Sequence, residues 1–268
     1  MTRARRALVA LAAAAAPACG APLMKLPPGP GAPAPDAPAA LAEATSACRG
    51  VTTLTAEIGV SGSAAGHRAR GTLSAGVAAP ASARLEAVAP FGQPLFILVT
   101  TGGDATLLLP RDNRVLEHGK PAAVLEAIAG VPLDGADLRR VLTGCAAASN
   151  AAGAGHALGD DWRLVPGPAG DVYLHREPHT APWHVVATVH GGSDPSVAWR
   201  AEYSEFANGL PRAIRLASSR KDRFDLRLKL SQVDLNVPLG AEVFRVRIPP
   251  NADPISIDEL RQSGPLGK

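Results

Sequence analysis

Phe224-Asp225-Leu226-Arg227-Leu228-Lys229-Leu230 is the stretch on which the reading of this chain turns. Apolar and charged residues alternate without a break, as in a strand with one face on a core and one in water. A helix would scatter Phe224, Leu226, Leu228 and Leu230 around its axis, whereas a pleated strand puts them on one side. The same alternation recurs upstream in Val197, Trp199, Ala201 and Tyr203, in Trp183, Val185, Ala187 and Val189, and from Ser82 to Ala87. Leu95 to Val99 is apolar at nearly every position, which predicts a strand buried on both faces. Pro80, the stretch Pro90 to Pro94, and Gly102-Gly103 punctuate these runs.

Three segments change period. Asp36 is placed to cap a short helix from about Ala39 to Arg49, with Leu41, Ala44, Thr45 and Cys48 at helical spacing. Pro121 opens a second helix, in which Val124, Leu125 and Ile128 share a stripe. Asp134 opens a third, with Leu138, Val141 and Leu142 on one face and Gly144 ending it. About ten to twelve strands with short helices predict a mainly β fold, a curved antiparallel sheet whose apolar concave face the helices cover.

The N-terminus carries a different signal. Arg3, Arg5 and Arg6 precede the apolar run Ala7 to Ala16 and the small residues before Cys19. That layout is a secretory signal, and it is too short for a bilayer span of about 20 residues. Cleavage near Ala18 either leaves a free cysteine or, since Ala16-Pro17-Ala18-Cys19 resembles the bacterial lipobox, leaves Cys19 as a lipid anchor. Loss of residues 1–18 removes three arginines and leaves 24 basic against 24 acidic residues. The sequence pI near 9.0 thus reflects the signal, and no basic-patch argument for nucleic acid survives. Residues 19–38 hold seven prolines in the nineteen after Cys19, composition that predicts an extended tether of up to ~60 Å. The expected organisation is therefore signal 1–18, lipidated tether 19–38, β domain 39–250 and tail 251–268.

With Cys19 assigned to lipid, Cys48 and Cys145 remain, and an oxidising envelope compartment lets them pair. The alternative is two buried free thiols. The histidines His175, His179, His184 and His190 invite a metal reading. Pro178 argues against a shared helical face for the first two, His184 and His190 are expected on the outward face opposite Trp183 and Val185, and no zinc motif is present. No metal or other cofactor is expected. No nucleophile elbow, P-loop or dinucleotide fingerprint is visible, so a non-enzymatic protein is expected.

Several landmarks resemble the LolB and LolA family of periplasmic lipoprotein carriers and receptors. They are Arg70-Gly71-Thr72-Leu73, Arg84-Leu85-Glu86, Ala89-Pro90-Phe91-Gly92, the helical pair from Ala127 to Gly144, Trp199 to Tyr203, Gly209-Leu210-Pro211-Arg212 and Leu226 to Leu230. Their order spans roughly residues 40–250, with a larger insertion around 146–196. The resemblance implies an unclosed antiparallel β-barrel with a helical lid, whose interior receives acyl chains of lipoproteins or other envelope lipids. It also implies a monomer anchored to the outer membrane and facing the periplasm, with a periplasmic carrier as a partner. Gly20 follows the anchor, not the Asp that resembles an inner-membrane retention signal. Phe91 matches the protruding apolar residue that helps pass ligand to the bilayer; by its own sequence context it is equally a core plug at a turn. Interior residues expected to meet ligand are Leu85, Leu95, Ile97, Leu107, Trp199, Phe224, Leu226 and Leu228, which would equally fill an ordinary core. A docking platform on the same fold, without a ligand, is the competing expectation.

Overall fold

The computed structural model describes residues 22–88, 94–146, 155–168, 170–191, 197–220 and 223–263. Cys19 and Phe91 lie outside the described residues. The chain opens with β1 (Ala32–Pro33), α1 (Ala37–Ala44) and α2 (Ser46–Arg49). A meander follows through β2 (Thr53–Ala64), β3 (His67–Ala78), β4 (Ser82–Val88), β5 (Ile97–Thr101), β6 (Asp104–Leu109) and β7 (Arg114–Gly119). Two helices interrupt it, α3 (Pro121–Ala129) and α4 (Gly135–Thr143). The second meander is β8 (His156–Ala157), β9 (Trp162–Gly167), β10 (Gly170–His175), β11 (His184–His190), β12 (Trp199–Ser204), β13 (Ala213–Ser218) and β14 (Phe224–Leu235). A 3-10 turn at Ala241–Phe244, β15 (Asp253–Pro254) and α5 (Ile257–Ser263) close the described chain.

Among the described residues all fifteen strands form one sheet, in the order β1-β8-β9-β10-β11-β12-β13-β14-β2-β3-β4-β5-β6-β7-β15. Its pairings are antiparallel except β15 on β7. The two ends do not meet, so this is the unclosed, helix-covered sheet that the alternation predicted. Three of the strands are two-residue pieces at or near the edges; the others fall within the expected ten to twelve.

The two meanders are joined by β14 lying against β2, from Phe224 beside Ala64 to Leu235 beside Leu54. A Cβ at Gly62 (φ +138°) would sit 2.0 Å from the Asp225 carbonyl oxygen. Only glycine lets the two backbones approach so closely there. Phe224, Leu226 and Leu230 enter the buried core with Leu54, Ala56 and Ile58 from β2. On the wet face Arg215 and Asp225 form a two-pronged ion pair at 2.7 and 2.8 Å, and that bond holds the Asp225 carboxyl below its usual range.

The helices lie on the inner face. A capping box starts α4: the Asp137 N–H donates to Asp134 Oδ1 at 2.8 Å, and the Asp134 N–H donates to Asp137. Gly144, with φ 65°, ends it in the left-handed region. A Cβ at Gly135 would meet the Ala81 carbonyl oxygen at 2.3 Å, so glycine seats the first turn of α4 on the β3–β4 connection. The first helix differs in detail from the expectation. It begins at Ala37 and breaks at Thr45, and Asp36 does not cap it. The Asp36 carboxylate turns instead to Arg163, which donates from Nε at 3.1 Å and Nη2 at 2.8 Å. Charge-assisted bonds to a guanidinium outcompete a neutral backbone donor, and they lower the Asp36 pKa.

Both terminal segments are more engaged than their composition suggests. Residues from Met24 to Asp36, expected as an unattached tether, are tied to β12, β8 and β9. At the other end Phe244 is buried, and Arg84 donates to the carbonyls of Val243 and Arg245, laying this segment over the outer face. Val99 is buried on that face while Leu98 is buried on the inner one, which accounts for the unalternating Leu95 to Val99. Beyond Pro250, β15 adds to the β7 edge, and Ile255 and Leu260 join the core. The expected tail is therefore packed as far as α5.

Glu259 ties the start of α5 to β7 through Ser256 and Arg114. It accepts from the Ser256 N–H at 2.9 Å and from Arg114 at 3.0 Å, and these bonds lower its pKa from 4.5 to about 2. A depressed carboxylate contributes stability above its unfolded pKa and loses it as pH falls through the folded one. The protection of the Ile255 and Leu260 amides, measured as exchange relative to the intrinsic rate at each pH, is therefore expected to fall as pH drops from 4.5 towards about 2, and Glu259→Gln is expected to remove that dependence.

Candidate functional site

The residues expected to face a ligand divide into three groups. Leu85, Leu107, Phe224 and Leu226 are buried at 5% exposure or less, within one continuous core. Leu95, Leu228 and Trp199 are half-buried against that core. Ile97 belongs to neither group, because its neighbour Leu98 is the residue that points inward and the strand period is two. Among the described residues, side chains from β2 to β7 and β14 thus pack into a buried core.

An opening exists elsewhere on the inner face. A cavity of about 310 Å³ lies between the second half of α4 and strands β10 to β12. Val141, Val172, Cys145 and Trp199 give it apolar walls, Tyr203 and Thr188 lie in its wall, and Arg140, Asp137 and His190 add its charged and titratable groups. Of the expected ligand-facing residues that are described, Trp199 alone lines it.

The cavity depends on an irregularity in β11. Tyr173 pairs with Ala187 but Leu174 pairs with Val185, so Val186 is an extra residue opposite β10. Such a bulge shifts the strand by one residue and reverses which side chains face the core. Val185 points inward before the bulge, and Thr188 and His190 point inward after it. This corrects the expectation that Ala187 and Val189 share the Val185 face and that His190 faces outward. The only trace in the sequence is Val185-Val186-Ala187, three consecutive apolar residues that interrupt the alternation.

Inside the cavity His190 stacks flat on Trp199, with ring centroids 3.9 Å apart and planes 6° apart. Its Nε2 lies 3.0 Å from the Thr188 hydroxyl, which is 3.5 Å from the Tyr203 hydroxyl. Burial pushes the Tyr203 hydroxyl up to about 12, against a smaller opposing effect of Thr188. Arg140 is paired with Asp137 one turn earlier on α4. The wall is therefore apolar with a short polar line and an ion pair at its edge. That arrangement suits a hydrocarbon chain.

A disulfide frames the site. Cys48 and Cys145 are joined, with Cα atoms 5.6 Å apart and 97 residues between them in sequence. The link ties α2 to the end of α4 beside the cavity. In the chain-entropy account a loop of this length contributes roughly 4–5 kcal/mol.

The other histidines are engaged separately. His175 stacks on Trp162, His179 meets Asp161, and His184 stacks on Phe206, where burial lowers its pKa. Among the described residues no three His, Cys, Asp or Glu side chains gather as a metal would require. Nor is any described helix long and apolar enough to cross a membrane.

The sheet order, its open edges and the inner helices define a LolA-like fold. A LolA-superfamily protein from Nitrosomonas europaea superposes with TM-score 0.54 at 13% identity, covering 78% of this chain and 97% of that one. An outer-membrane lipoprotein-sorting protein domain from Vibrio parahaemolyticus matches with TM-score 0.47 at 10% identity, over 76% of this chain and 94% of that one. No protein-family model matches the sequence. No curated protein matches it either.

The chain has two tyrosines, and both are affected by burial. Tyr203 is raised to about 12, and burial of Tyr173, with Asp171 nearby, raises it as well. Ultraviolet titration of the folded protein is expected to show no phenolate step centred at 10, the value both would have in the unfolded chain. A step at that pH in folded protein would contradict the closed packing around β10 and β12.

Proposed function

We propose that this protein is a lipid-anchored, non-catalytic envelope protein that shields a single acyl chain in the cavity between α4 and β10 to β12. The observation that carries the proposal is the cavity itself. Its ~310 Å³ lies at the lower end of the roughly 300–1,000 Å³ range of ligand pockets, a size that suits one chain better than a whole lipid. Each methylene moved from water into apolar walls contributes about 0.8 kcal/mol. Binding therefore needs little polar recognition, in keeping with the uncharged Thr188–Tyr203 line. The ligand class is an acylated lipoprotein or another envelope lipid.

The signal layout ending at Cys19, with Gly20 behind it, supports an outer-membrane anchor facing the periplasm. The protein acts as a monomer in this reading, receives its ligand from a periplasmic carrier, and uses Phe91 for contact with lipid. A second reading has support from the buried core that takes up Leu85, Leu107, Phe224 and Leu226. In that reading the fold is a docking platform for another envelope protein.

Titration with a fluorescent fatty acid separates the two. Saturable binding is expected, weakened at least tenfold by Val172→Trp, which fills the cavity from β10. Val141→Phe fills it from α4, and unchanged thermal unfolding in either variant excludes a general packing defect. Absence of saturable binding, together with a stable protein partner, would favour the platform. Phe91→Glu is expected to keep both the fold and fatty-acid binding while reducing vesicle contact; unfolding instead would make Phe91 a core residue.

A further inference from the structure

The proline-rich segment before α1 is strapped to the domain, and its first fastening is a buried charge pair. Arg200 and Glu202 stand two apart on the outer face of β12, paired with each other and only 18% and 11% exposed. Both also hold the backbone of Met24. The Met24 N–H donates to Glu202 Oε1 at 2.7 Å, and Arg200 Nη2 donates to the Met24 carbonyl at 3.0 Å. Further on, Ala32 and Pro33 add to the β8 edge, the Ala34 N–H donates to Gly155, and Asp36 grips Arg163. Taking two charges out of water is costly unless their remaining hydrogen-bonding capacity is met. Here a main-chain donor and acceptor from the strap meet part of it.

We propose that the Arg200–Glu202 clamp is an orienting device that sets the β12 side of the domain against a lipid bilayer. The proposal rests on the reading of Cys19 as the lipid anchor. Met24 lies five positions after Cys19, a reach of at most ~18 Å at about 3.3–3.6 Å per residue. A free tether of residues 19–38 would allow up to ~60 Å and any orientation. The clamp shortens the leash and fixes the strand from which it leaves.

The surface around the clamp fits a bilayer. Among the described residues the exposed large apolar side chains are Leu23 and Val197, at 42% and 51%. Leu23 precedes the clamped residue, and Val197 lies in the turn that leads into β12, three residues before Arg200 in sequence. Lys25, also exposed, is placed to meet anionic headgroups. Trp199, on the opposite face of the same strand, lines the cavity. The clamp thus holds the strand that forms one cavity wall against the membrane.

The test uses the full lipidated chain in vesicles of phosphatidylethanolamine and phosphatidylglycerol containing nitroxide-labelled lipid. A fluorophore is placed at Val197→Cys and, in a separate protein, at Asp112→Cys on the exposed β6–β7 turn. Quenching at position 197 is expected to exceed that at 112 at least threefold. The paired replacement Arg200→Met with Glu202→Met removes both charges together, so no buried charge is left alone. It is expected to bring the two positions to equal quenching without loss of fatty-acid binding. Equal quenching with the clamp intact would overturn the proposal, as would unequal quenching that survives the paired replacement. Intact mass reads the anchor separately: an unacylated Cys19 overturns the anchor and the bilayer orientation with it. Slow exchange of the Met24 amide, lost in the paired replacement, would then remain as evidence of the strap alone.

Discussion

The antiparallel pairing of β14 with β2 is the interaction on which the remaining structure depends. It brings residues 224–235 against residues 53–64 and so converts two separate meanders into one sheet. It sets the inner face that carries α3 and α4 beside the one that carries α1. The pairing closes a loop of more than half the chain, and such non-local contacts form against a large chain entropy. The length of both strands, the close approach at Gly62 and the continuous apolar stripe from Phe224 to Leu230 all serve to offset that cost.

Because the sheet curls without closing, its inner face has to be covered by something other than itself. In the first meander this is done by side chains and by α3 and α4, and the result is a packed core around Leu107, Leu98 and Val124. In the second meander the bulge at Val186 turns Thr188 and His190 inward. The wall there carries a threonine and an imidazole stacked on Trp199. The cavity is therefore a consequence of one extra residue in one strand, placed where α4 ends and the Cys48–Cys145 link begins.

The outer face follows another logic. Charged residues on β12 to β14 are paired with one another, and the Arg200–Glu202 pair also recruits the N-terminal strap. A segment with too few apolar side chains to build a core becomes ordered through main-chain hydrogen bonds supplied by the sheet. The C-terminal segment does the same through Arg84 and then contributes Ile255 and Leu260 to the interior. The first and last described segments thus both lie against the sheet that the middle of the chain builds.

Strand alternation, helix stripes and the caps at Asp134 and Gly144 were legible in the sequence because they depend on neighbours two to four residues apart. The class of fold followed from them, and the family-like order of motifs agreed with it. The partners of Asp36, Met24 and Glu202 were not legible, since each bond joins residues more than a hundred positions apart. Nor was the division between filled core and cavity. Leu107 and Trp199 look alike as apolar strand positions, and only the bulge in β11 and the path of α4 decide which of them meets a void. Period and propensity are local properties that the sequence by itself determines. Phase across a bulge, the burial of a charge and the placement of empty space belong to the tertiary structure, because they are set by atoms that sequence distance does not bring together.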